Sequence, residues 1–253
     1  MNDTSKKASF LGININLVDR KEIITLLVNY ATQGVGRPRT AFYLNAHCVN
    51  IASRDVEYRA VLNSADLVYA GGQGVVWGGR LCGIPIPARV NIMDIFDFLA
   101  EEFRNRKISI FLLGETPETI GKADAALRTK GLFVVGSHHG YFTESQEKDV
   151  INKINAARPD IILVGLGVPK QEKWILRNRN NLESNLSWGV GGLFKIFAGY
   201  LQDTPSWIRV SGLEWLYLGI QDPKRLVSRY LLGNLIFMYR VLAIHMRRLC
   251  LKS

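Results

Sequence analysis

The chain has 253 residues, 47% of them hydrophobic and 21% charged, which suits a globular core and excludes a disordered chain. Lys and Arg outnumber Asp and Glu by 32 to 22, and the net charge of +10 points to an acidic partner: nucleic acid, a phosphorylated substrate or an anionic membrane. Cys48, Cys82 and Cys250 give neither zinc spacing nor a disulfide framework, MNDTSKKASF lacks a signal-peptide layout, and no apolar run reaches the roughly 18–20 residues that span a bilayer.

In chain order, Thr40–Leu44 is a short apolar strand, followed by Asn45 and His47 and a helical pattern over Ala46–Asn63. Asn45 stands where a strand ends, as a ligand contact or as a helix cap. A second strand, Leu67–Ala70, runs into YAGGQGVVW (Tyr69–Trp77), where Gly72, Gln73 and Gly74 make a cradle for a sugar or phosphate, or a plain turn. A helix over Gly74–Leu81 follows. Arg89 and Asp94 then stand five apart around the start of a helix, Ile92–Phe103. Asp94 there is either a general base or the acid of a first helical turn.

The pattern continues with strand Ile108–Leu113, helix Pro117–Lys130, strand Leu132–Gly136 and helix Glu144–Ala157, whose start resembles a capped N-terminus at Thr143. His138 and His139 are adjacent, point opposite ways in an extended chain and make a poor metal pair; Tyr141 follows them. Strand Ile161–Gly165 leads into VGLGVPKQEKW. Gly165 and Gly167, then Pro169 and the polar run Lys170–Lys173, read as strand, tight turn and the start of a helix over Lys170–Asn178. Small residues there let backbone amides approach a phosphate, and a solvated ordinary turn is the bland alternative. Strand Leu186–Val190 opens a comparable turn, GVGGLFKIFAG, with Gly191 and Gly192. It lacks the GxGxxG fingerprint of a dinucleotide site. Alternating strands and helices of this kind predict a mostly parallel sheet with helices on both faces, a Rossmann-like α/β fold, over residues 1–202.

Residues 203–253 read as a helical appendage, with helices over Trp207–Gln221 and from Lys224 to about Leu251. From 201 to 253 the chain holds eight Lys or Arg and three Asp or Glu, a surplus of five and half of the net +10. Tyr230–Ala243 is almost wholly apolar, at 14 residues too short to span, and flanked by Lys224, Arg225, Arg229, Arg247 and Arg248. Such a segment lies in a membrane interface, packs on the core, or forms a homo-oligomer contact. No aromatic-basic motif of a nucleic-acid-binding module is present.

Asn45 in FYLNAH, AGGQGVVW, Arg89 to Asp94, Gly114 in FLLGE, Gly140–Phe142, PKQEKW, GVGGLF and GLEWLY (Gly212–Tyr217) occur in the order of one family. From about residue 10 to 230 the chain resembles the WecG/TagA/CpsF family of bacterial glycosyltransferases. The resemblance implies inverting transfer of a sugar, often of UDP-N-acetylmannosamine type, from a nucleotide-sugar to an undecaprenyl-diphosphate-linked sugar. It implies work at the cytoplasmic membrane face, in surface polysaccharide synthesis, without metal or other cofactor. It assigns active-site roles to Asn45 and Gln171, a nucleotide-side aromatic to Tyr141 and an appendage arginine to Arg225; two further appendage arginines are Leu218 and Ser228 here, although Arg229 and Lys224 are adjacent. The chain departs from the pattern where the family's proposed catalytic Asp is Gly71, a Thr is Tyr43 and another Asp is Lys195. Asp94 becomes the substitute base, with Asn45 and Gln171 beside it. A catalytically impaired, membrane-associated subunit of a polysaccharide assembly complex is the competing expectation.

Overall fold

The computed structural model describes residues 6–34, 36–205, 207–208, 214–221 and 231–250. It opens with an antiparallel hairpin of β1 (Lys7–Phe10) and β2 (Ile13–Asn16), then α1 (Arg20–Thr32). Asp19 begins α1: its carboxylate accepts from the Lys21 and Glu22 amides, and Glu22 accepts from the Asp19 amide.

A six-stranded sheet follows, built from β3 (Arg39–Leu44), β4 (Leu67–Ala70), β5 (Ser109–Gly114), β6 (Phe133–His138), β7 (Ile161–Gly165) and β8 (Leu186–Gly189). The order across it is β4-β3-β8-β7-β5-β6, and every pairing is parallel. The predicted α/β class therefore holds. The central strands are apolar on both faces because helices cover both. Every residue of β5 and β7 is buried. Alternate residues feed two cores: Phe111 and Leu113 join one, Ile110 and Leu112 the other.

The helices are α2 (Ala46–Ala52), α3 (Val56–Asn63), α4 (Gln73–Leu81), α5 (Ile92–Asn105), α6 (Pro117–Thr129), α7 (Glu144–Ala157), α8 (Lys170–Asn178), α9 (Leu193–Phe197), α10 (Glu214–Gln221) and α11 (Gly233–Cys250). The single helix expected over Ala46–Asn63 is two. The Asp55 carboxylate accepts from the Tyr58 amide at 2.8 Å and starts a new helix. At Thr143 the Gln146 side chain accepts from the backbone amide at 2.9 Å, so the expected capped start is present.

The tail helix α11 is partly core. Phe237 and Val241 are buried, and Val241 packs so close to Gly78 of α4 that a Cβ there would meet it at 2.9 Å. The Asn50 amide of α2 donates to the Gly233 carbonyl at 2.6 Å. The other face of the helix leaves Leu235, Tyr239, Leu242 and Met246 exposed. No helix among the described residues is long and apolar enough to cross a membrane. Lys224, Arg225 and Arg229 lie outside the described residues.

Candidate active site

The carboxyl ends of the parallel strands open into one cleft of about 480 Å³, the scale of a small-molecule site. Its β3/β4 end is built by Tyr43, Asn45, Tyr69, Gly71 and Asn91, and its β5/β6 end by Glu115, Gly140 and Tyr141. Between them run the two glycine turns, Gly165–Val168 after β7 and Val190–Gly192 after β8, with Lys170 and Lys195 on the helices that follow. Backbone amides at such turns and two ammonium groups suit an anionic ligand.

The turn after β8 explains its own glycines. Gly191 has φ +59°, a left-handed conformation natural to glycine. A Cβ on it would also stand 2.5 Å from the Tyr43 hydroxyl. The Gly191 amide donates to the Gln171 side-chain carbonyl at 3.1 Å.

The residues expected to act fall into four places. Asn45, Tyr141, Gly167, Gly191 and Gly192 line the cleft. The Asn45 side chain also caps α2, accepting from the Cys48 amide at 3.0 Å. At the rim, Arg89 donates to Asp94 at 2.8 Å and Arg20 lies 3.5 Å from the same oxygen, with Arg89 and Asp94 nearly buried. Their neighbours Asn91, Ile92 and Met93 line the cleft, although Asp94 and Arg89 do not. Beyond Gly71, Gly72, Gln73 and Gly74 turn away as α4 starts, and a Cβ at Gly74 would face Phe237. Gln171 lies beneath the floor, wholly buried.

At the β5/β6 end, Lys195 stands 3.8 Å from Glu115, and Lys170 donates to the Gly140 carbonyl at 3.4 Å. His138 and His139 stack with ring centroids 4.5 Å apart, contrary to the expected divergence, because the strand ends at His138 and its alternation ends with it. Burial lowers the His138 pKa.

Sequence reasoning passed over Tyr69, Asn91 and Glu115 as cleft residues. Two signals were there to use. Asn91 precedes the apolar helix run and caps it, accepting from the Met93 amide at 3.0 Å, and Glu115 directly follows a strand.

A parallel sheet, glycine turns at its carboxyl edge and a cationic cleft form the frame, and the sequence fills it as one family does. The profile of the glycosyl transferase WecG/TagA/CpsF family matches residues 8–250. The chain belongs to that family. Among WecG/TagA/CpsF relatives, the N-acetylglucosaminyldiphosphoundecaprenol N-acetyl-beta-D-mannosaminyltransferases of Staphylococcus aureus strains MW2 and COL are 29% identical over 242 residues. The alignment covers 93% of this chain and 92% of each relative. This WecG/TagA/CpsF member is therefore a glycosyltransferase.

Two of the positions where the sequence departs from the expected pattern, Tyr43 and Gly71, lie in direct contact. A Cβ added to Gly71 would stand 2.8 Å from the Tyr43 Cβ, closer than real Cβ contacts come, and 3.3 Å from its ring. A side chain at position 71 therefore requires the adjoining backbone to shift, and one at position 191 meets the Tyr43 hydroxyl and a left-handed backbone.

Proposed function

We propose that this glycosyltransferase moves an N-acetylmannosamine-type sugar, with inversion, from a UDP-linked donor to an undecaprenyl-diphosphate-linked N-acetylglucosamine in surface polysaccharide synthesis. The observation that carries this reading is alignment over 93% of this chain with relatives whose names state N-acetylmannosaminyl transfer to N-acetylglucosaminyldiphosphoundecaprenol, in a chain whose sheet gathers a nucleotide-sized cationic cleft. The diphosphate leaving group lies along the glycine turns, where backbone amides and the Lys170 and Lys195 ammonium groups offset its growing charge. Tyr141 stacks on the nucleotide.

The acceptor hydroxyl must lose a proton as it attacks. Asp94 takes that role in our reading, oriented by Arg89, since glycine at 71 carries no carboxylate. Glu115, at the opposite end of the cleft, is the other carboxylate to test.

The exposed face of α11, with Leu235, Tyr239 and Leu242, meets the anionic inner leaflet at the cytoplasmic side, together with exposed Trp77 and Leu81 of α4. The sequence places Lys224, Arg225 and Arg229 just before that helix, where they attract acidic lipid and the acceptor diphosphate. Residues 203–253 thus act as the membrane-facing part of the enzyme.

One observation favours a second reading. Gly71 lines the cleft without the carboxylate that the resemblance expects there, as a catalytically impaired subunit would tolerate. Release of UDP that depends on the lipid acceptor separates the two, because an impaired subunit binds nucleotide without turnover.

A further inference from the structure

Beneath the cleft floor lies a buried carboxylate that the proposed transfer does not use. Glu172 and Gln171 are both fully inaccessible. The Gln171 amide nitrogen donates to Glu172 Oε1 at 2.8 Å, while the Gln171 carbonyl accepts from the Gly191 amide at 3.1 Å. Glu172 Oε2 has no hydrogen-bond partner. A glutamine side chain has a donor end and an acceptor end, and a carboxylate can only accept. The Gly191 N–H can only donate. Reversing the Gln171 amide would set oxygen against carboxylate and N–H against N–H, so Glu172 dictates which way it points.

We propose that Glu172 is a positioning residue, fixing the Gln171 amide so that its carbonyl pins the Gly191 turn that forms the cleft floor. The turn needs pinning. It is left-handed at Gly191, and it approaches β7 so closely that a Cβ on Gly165 would meet the Gly191 carbonyl at 2.9 Å. Without an acceptor at position 172, the Gln171 amide loses its orientation and the Gly191 amide its anchor.

The surroundings of Glu172 are almost free of charge. Tyr58 of α3 couples to it, and Cys48 of α2 and Tyr43 of β3 couple to Tyr58 in turn. β7 and β8 contribute no titratable residue. On α8 itself, Lys170 turns to Gly140 and Lys173 is paired outward with Asp55 and Glu57. Arg177 pairs with Glu147, and Arg179, just past the helix, with Asp66. Burial pushes the Glu172 carboxyl up to about 7, against which the Gln171 hydrogen bond pulls down. Its ionisation is therefore readable near neutral pH.

The test uses the full chain. The Gly191 amide resonance, followed from pH 5.5 to 8.5, should shift with a midpoint near 7 in the wild type and lose that titration in Glu172→Gln, which keeps an acceptor oxygen. UDP should bind Glu172→Gln much as it binds wild type, whereas Glu172→Leu should bind about tenfold more weakly, the worth of one lost anchoring hydrogen bond. A Gly191 resonance that ignores pH, or one that titrates equally in Glu172→Gln, overturns the proposal. So does wild-type UDP affinity in a folded Glu172→Leu. The UDP arm rests on the donor proposed above; the resonance arm does not, so the two failures are distinguishable.

Discussion

Gly71→Ala is the sharpest test of the Tyr43–Gly71 contact, because the sign of its effect carries the answer. Gly71 does not sit in the left-handed region, so alanine fits the local backbone. In open space the exchange would stabilise the chain by about 0.4–1 kcal/mol, through loss of unfolded-state freedom. Here the new Cβ would stand 2.8 Å from the Tyr43 Cβ. That atom is the root of the side chain, and the backbone behind it is paired to β4, so no rotation of χ1 relieves the contact. Overpacking of this kind typically costs about 1–3 kcal/mol. For a domain of this size that is a fall in Tm of roughly 2–12 °C. A double-mutant cycle with Tyr43→Gly, read by thermal and urea unfolding, isolates the pair. The loss should shrink by about 1 kcal/mol or more when position 43 carries no Cβ. A Tm that rises in Gly71→Ala, or effects that add within about 0.5 kcal/mol, would refute the steric argument. By the same logic Gly71→Asp alone should not raise turnover.

Three further outcomes follow from particular residues. Asp94→Asn should lower turnover by roughly two to four orders of magnitude while nucleotide binding persists, and Glu115→Gln should lower it less; the reverse ranking moves the base to Glu115. Replacing Leu235, Tyr239 and Leu242 together by Ser should reduce co-sedimentation with anionic vesicles more than tenfold at unchanged Tm, since these side chains already face solvent, and wild-type binding should weaken with salt; equal partitioning would remove α11 from the membrane. A carboxyl raised from about 4.5 to about 7 on folding costs nothing below its unfolded value, and its full penalty, roughly 3 kcal/mol, is present above pH 7. Unfolding free energy of the wild type relative to Glu172→Gln should therefore fall by about that amount from pH 4.5 to 8, and a flat difference would show that folding leaves the Glu172 carboxyl unshifted.

The sheet was legible in the sequence because central parallel strands are buried on both faces and read as short apolar runs broken by glycine turns, as at Ile161–Gly165. Strand ends fell within two residues of the expectation. The Ser53–Asp55 break was not seen, since apolar periodicity continues through it and only the Asp55 cap interrupts the helix. The β1–β2 hairpin and α1 also escaped, although Asp19 and Glu22 carry a capping-box spacing. Within the site, residues on the strand-to-helix turns were legible because an open sheet gathers such turns on one edge. Which of them face the cleft was not. The polar run Lys170–Lys173 reads as a solvated helix face, yet Gln171 and Glu172 are buried and only Lys170 of the four lines the cleft. The apolar tail segment likewise hid two roles, Phe237 and Val241 turned to the core and Leu235 and Tyr239 turned outward.

The most direct test of the proposed transfer presents the purified chain with UDP-N-acetylmannosamine and undecaprenyl-diphosphate-N-acetylglucosamine in anionic vesicles. Released UDP is measured alongside the mass of the lipid. The account predicts UDP release only when the acceptor is present, and a lipid product heavier by one N-acetylhexosamine. Saturable UDP binding with no acceptor-dependent release and no new lipid would contradict it and identify the chain as the impaired subunit.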